Sequence, residues 1–210
     1  MAKKRIQGIN QGKFIEQKKI QSIYNFFVSI CSQKAMLREK NIINQLCFYF
    51  VEFKLMLDIF ELKFSKNELS EAELQDYMDQ YFKEIKILEG KIKEKKILFI
   101  LKRIFRELMI GKIKKSKQMF RGYKKPRGYP GDSKVIELIY ENKPISQGFG
   151  RLLDSYMLMD NYSEAIRNRK NKMKEVLRRF IQANCKTELQ ILNLACGSCR
   201  EIREMYADGS

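Results

Sequence analysis

The chain has 210 residues and a net charge of +17, from 42 Lys and Arg against 25 Asp and Glu, with no His and no Trp. The missing His excludes Ser-His-Asp and Cys-His catalysis and any His-containing zinc site. Hydrophobic residues make up 44% of the chain, enough for a core and against wholesale disorder.

From the N-terminus, the basic opening Met1-Ala-Lys-Lys-Arg5 is followed by no apolar stretch, so no signal peptide is expected. Ile20, Ile23, Tyr24, Phe27, Ile30 and Cys31 recur at helical steps and predict a first helix. A largely buried helix is predicted over Ile42 to Phe64, where polar residues are dispersed among apolar ones. Ser70 and Glu73 have the spacing of a capping box. The stripe Leu74, Tyr77, Met78, Tyr81, Phe82, Ile85 and Leu88 then predicts a helix that Gly90 ends, its aromatic and Met side chains core. Another follows from Ile97 through Leu108 to Gly111. The longest apolar runs, Leu46 to Val51 and Ile97 to Leu101, are far below the roughly 20 residues of a membrane span.

The charge is densest from Lys83 to Lys117, with 13 basic and 4 acidic residues. This block reads first as the wet face of two helices and their connection, with a phosphate- or lipid-facing patch as the alternative. Lys outnumbers Arg by 29 to 13 and Ile outnumbers Val by 24 to 4, the skew that A+T-rich codon usage produces. Part of the charge therefore need carry no function.

At Arg121 the composition changes. Arg121-Gly-Tyr-Lys-Lys-Pro-Arg-Gly-Tyr-Pro-Gly-Asp132 reads as a loop and a boundary, because Gly and Pro punctuate helices. Helical spacing resumes over Val135–Tyr140, Phe149–Met157 and Glu164–Ile181. Leu189-Gln-Ile-Leu-Asn-Leu-Ala195 is a short apolar run that predicts a strand. It leads into the small-residue turn Cys196-Gly-Ser-Cys199 and a helix over Arg200–Tyr206. A strand, a tight turn and a helix N-terminus in this order let a nucleotide-like ligand approach backbone N–H groups closely. The five Cys read as reduced thiols of a cytosolic protein, and the lone Cys196-x-x-Cys199 lacks the second pair that a zinc site needs.

This unit resembles the first motif of class I S-adenosylmethionine-dependent methyltransferases, an apolar strand ending in Asp-x-Gly-x-Gly-x-Gly. Asn193 stands at the Asp position, and Ala195, Gly197 and Cys199 stand at the three Gly positions. Lys125-Pro-Arg-Gly-Tyr-Pro-Gly-Asp132, Arg167-Asn-Arg169 and Ala195-Cys-Gly-Ser-Cys-Arg-Glu201 follow one another as in one bacterial subfamily of these enzymes. That subfamily is implicated in making hydroxy fatty acid methyl esters as cell-to-cell signals. The resemblance covers about 121–206.

The resemblance implies a mainly α chain that opens into an α/β Rossmann-like core, of which only the first strand and the following helix are present. It divides the chain into a helical region (1–120), a loop and helices leading into the catalytic domain (121–188) and the start of the core (189–210). S-adenosylmethionine is the implied cofactor. Asn193, Ala195, Cys196, Gly197, Ser198 and Cys199 are the implied cradle, while Tyr129, Gly131 and Asp132 lie on a segment able to close over the methyl donor. Arg167 or Arg169 is placed to pair with the cofactor's carboxylate, since guanidinium suits bidentate carboxylate binding. The structural alternatives are a plain helix-to-helix turn at 125–132 and solvated helix charges at the two arginines.

The implied partner is a small or lipid-like methyl acceptor, in a cytoplasmic protein without a membrane span. The chain is further expected to be a fragment lacking a C-terminal portion, with little or no activity and poor cofactor binding. The alternatives are a basic helical protein that binds nucleic acid, from the 83–117 block, and a helical partner-binding module.

Overall fold

The computed structural model describes residues 33–129, 131–184, 188–192 and 197–208. They contain eight helices, numbered here in order: α1 (Gln33–Ser65), α2 (Glu71–Gly90), α3 (Lys95–Ile113), α4 (Lys117–Lys124), α5 (Ser133–Glu141), α6 (Phe149–Met159), α7 (Asn161–Ala183) and α8 (Arg200–Ala207). The helix predicted over residues 20–31 lies outside the described residues. Two compact units divide between Ile110 and Gly111.

In the first unit, α1 buries Ile43, Leu46, Phe50, Phe53, Leu57 and Phe60. These fall at steps of three and four, which keeps one stripe of a helix against its neighbours. The matching stripe on α2 is Leu74, Met78, Tyr81, Ile85 and Leu88, and on α3 it includes Ile97, Leu101 and Ile104. Aromatic rings join the three helices. Phe53 stacks on Tyr81 with centroids 3.9 Å apart, and Phe50 lies 5.0 Å from Phe105. The Ser70 cap forms as the sequence predicts: its Oγ accepts from the Glu73 N–H at 3.0 Å. The Glu73 carboxylate pairs across to Lys63 Nζ at 2.5 Å, tying the start of α2 to the end of α1.

The second unit packs α7 against α5, α6 and α8, and α4 against α5 and α6. Its apolar cluster centres on Val135, Ile139, Leu158 and Ile166.

Two expectations are corrected. The segment from Arg121 is not all loop: α4 continues to Lys124. The cause is local, because the Ser116 Oγ accepts from the Met119 N–H and starts a helix that Gly122 does not stop. The α/β Rossmann-like core is not seen either, since the described residues hold no strand. Residues 189–192 of the predicted strand have no regular structure, and the rest of it lies outside the described residues. A strand pairs its backbone with a neighbouring strand, and none exists among the described residues to receive it. Leu192 is accordingly 82% exposed, the opposite of a core strand.

Candidate functional site

Two buried carboxylates set the loops of the second unit. Asp154 accepts from the Ser116 hydroxyl at 2.5 Å with one oxygen, and from the Ile145 and Ser146 N–H groups at 3.0 and 2.8 Å with the other. Ser146 in turn accepts from the Lys117 N–H at 2.7 Å. The approach to α4 and the segment entering α6 are thus bonded to one side chain. Gly150 is required in the same place, because a Cβ there would stand 2.0 Å from the Lys115 carbonyl oxygen.

Asp132 is the second. It caps α5 by accepting from the Lys134 and Val135 N–H groups. The Arg121 guanidinium grips both of its oxygens, Nε at 3.1 Å and Nη2 at 2.6 Å. These bonds close the loop between α4 and α5 on itself. The Arg121 hydrogen bond, joined by the two backbone N–H groups, holds the Asp132 carboxyl below its ordinary range against the opposing effect of burial. Arg127 donates to the Ser133 hydroxyl at 2.5 Å, drawing the Pro-Gly segment toward the first residue of α5.

The turn Gly197–Cys199 lies against this same corner. Gly197 and Cys199 both have left-handed backbones, with φ of 60° and 49°. A Cβ on Gly197 would stand 3.8 Å from the Ser133 Cβ. Glu137, one turn along α5, accepts from Ser198 in the turn. It also accepts from Arg200 at 3.0 Å and Arg203 at 2.8 Å on α8. Burial alone would raise its carboxyl, but these three donors outweigh burial and hold it below the ordinary range. α8 is fixed on its other side by Glu204, which accepts from Lys170, Lys174 and Arg200 at 2.6–3.0 Å. Asp208 accepts from Lys174 and Arg178.

The structure therefore brings two of the three sequence elements together: the end of the 125–132 segment and the 197–199 turn meet at the start of α5. Of the candidate residues, Tyr129 is half exposed, Gly131 is half-buried and Asp132 is buried in its own network. Gly197 is exposed, and Ser198 and Cys199 are half-buried. Asn193, Ala195 and Cys196 lie outside the described residues. Cys199 occupies the N-cap position of α8 and makes no side-chain cap bond, which leaves its first-turn N–H groups without that partner. Arg169 is exposed, whereas Arg167 is half-buried and its Nη1 is buried with no hydrogen-bond partner among the described residues. Lys170 pairs with Glu204 and Arg178 with Asp208, so α7 and α8 run in parallel register. One turn before Lys170, Arg167 falls level with the start of α8.

Sequence reasoning missed Glu137, the residue that joins the turn to α5. It looks like any acid on the wet side of an amphipathic helix, and its partners lie more than 60 positions away. The Arg200–Glu204 pair, at a spacing of four, carried a local signal.

No curated protein and no solved structure matches this chain. A protein family described as "Putative methyltransferase" matches residues 53–209. The match starts within α1, so α2 and α3 fall inside the family's pattern together with the corner just described. The chain belongs to this methyltransferase family.

Proposed function

We propose that the chain performs S-adenosylmethionine-dependent methyl transfer, with the cofactor received at the corner of the 125–132 segment, the 197–199 turn and the start of α8. The observation that carries the reading is the turn itself. Two left-handed positions separated by one residue, Gly197 and Cys199, stand at a helix start that has no side-chain cap. Backbone N–H groups in such a place favour an anionic or electron-rich ligand. The unpartnered Nη1 of Arg167, level with that helix start, suits the cofactor's carboxylate. The cofactor supplies an electrophilic sulfonium methyl. The chain's own residues orient it and keep water away, with Tyr129 and Gly131 on the covering segment. A small or lipid-like acceptor bearing a carboxylate fits the absence of His, because a carboxylate nucleophile needs no base, whereas a hydroxyl acceptor would have to give its proton to another side chain or to water.

Titration of the isotopically labelled chain with S-adenosylmethionine, followed by NMR, tests this at any affinity down to the millimolar range. Amide shifts are expected at Gly197, Ser198 and Cys199 and at the Arg167 guanidinium. They are expected to vanish in Gly197→Val, because a β-branched residue is strained at a φ of 60°. Shifts confined to other parts of the chain, or none at millimolar cofactor, would overturn the assignment.

A further inference from the structure

Phe99 on α3 is 64% exposed. On a helix, the neighbours of a residue are those three and four positions away. For Phe99 these are Lys95, Lys96, Lys102 and Arg103, all four cationic and all exposed. Arg106, two turns along the same face, is exposed as well. The acids nearby are few. Glu89 pairs with Lys102 at 3.0 Å, Glu94 accepts from the Lys96 N–H, and Glu107 lies at the edge of the face.

Beside this face a cavity of about 380 Å³ opens in the same unit. Phe50, Phe82, Ile85 and Phe105 form its apolar part, and Lys86, Glu89, Lys102 and Arg106 complete its lining. Its lining has no neutral hydrogen-bonding side chain. A hydrocarbon chain would lie on this apolar part without leaving any polar group of its own unmatched.

We propose that this face of α3 docks on an anionic lipid bilayer. Phe99 enters the boundary between headgroups and acyl chains, and the surrounding cations meet the lipid phosphates. A cation-flanked aromatic is the pattern of segments that lie in the plane of a membrane surface. No helix among the described residues is long and apolar enough to cross a membrane, so the contact is peripheral. The charge complementarity of the face selects anionic over neutral lipid. These observations are independent of the methyl-transfer reading.

The chain has no Trp, so Phe99→Trp places a single indole, excited selectively over the ten Tyr, at the centre of the face. In the full-length chain its emission is expected to shift to the blue with vesicles of phosphatidylcholine and phosphatidylglycerol mixed two to one, and to be quenched by brominated acyl chains. Pure phosphatidylcholine vesicles are expected to bind at least about tenfold more weakly. Lys95→Glu with Arg103→Glu is expected to weaken sedimentation with the mixed vesicles by roughly tenfold or more, with the helical circular dichroism unchanged. Equal binding to neutral and anionic vesicles would overturn the proposal, as would an indole emission unmoved by either. An emission that answers to a uridine oligonucleotide and not to vesicles would make the face a nucleic-acid surface instead.

Discussion

Gln118, on α4, is 1% exposed, and neither end of its amide has a hydrogen-bond partner among the described residues. Ser116, two positions earlier, is equally buried but donates to Asp154 and caps α4. The contrast isolates the cost. A buried amide without partners destabilises a fold by about 1–3 kcal/mol, and an apolar side chain of the same reach avoids that. Met has nearly the same length and flexibility as Gln. Gln118→Met is therefore expected to raise the free energy of unfolding by about 1 kcal/mol, measured by denaturant titration with an unchanged slope. A loss of stability would show that the amide is bonded in solution.

At the scale of elements, α8 is held mostly by charge. Met205 is its buried apolar anchor, while Glu137, Glu204 and Asp208 take five of the basic groups of α7 and α8. Burial pushes the Glu204 carboxyl up, but Lys170, Lys174 and Arg200 outweigh it and bring it down to about 2. Hydrogen bonds from Lys174 and Arg178 lower Asp208, and Glu137 is lowered as well. A carboxylate with a depressed folded-state pKa contributes stability that is complete above its unfolded value and lost as pH falls through the folded one. The docking of α8 is thus expected to be constant above about pH 5 and to fail between about pH 4.5 and pH 2. NMR of the Ser198 and Met205 amides checks this: their signals should depart before those of Leu46 and Leu101, and simultaneous loss would place the weak point elsewhere. How legible these elements were depends on the distance between the causes. The periodic stripes of α1 to α3 and the Ser70 cap are local, and sequence placed α2 and α3 within a few residues, whereas α1 begins at Gln33, nine residues before the predicted Ile42. The described part of the Leu189–Ala195 run, residues 189–192, is not a strand, because strand identity depends on neighbours that composition does not reveal. The corner at α5 was half legible. Small residues marked the turn, but Glu137 gave no sign of the Ser198, Arg200 and Arg203 side chains that it gathers.

For the whole molecule, the net charge of +17 opposes compactness, and the ion pairs oppose the charge. The balance differs from place to place. Of the 13 basic residues between Lys83 and Lys117, 12 are exposed, and the thirteenth, Lys112, lies over the Phe149 ring at 5.6 Å. Exposed pairs such as Lys172–Glu175 contribute about 0–1 kcal/mol each, and salt weakens them. Repulsion among the surplus cations acts over longer distances and is screened as well, since the Debye length falls to about 10 Å at 0.1 M salt. The two effects have opposite signs. With 13 basic residues facing 4 acidic ones in the block, screening the repulsion dominates. Raising sodium chloride from low millimolar to about 0.15 M is therefore expected to raise the melting temperature by a few degrees, while α8 alone becomes easier to detach. Sulfate at equal ionic strength should raise it further, because it also strengthens apolar burial. A melting temperature that falls with sodium chloride would mean that the ion pairs around Glu137 and Glu204, rather than the surface excess, govern the stability of the chain.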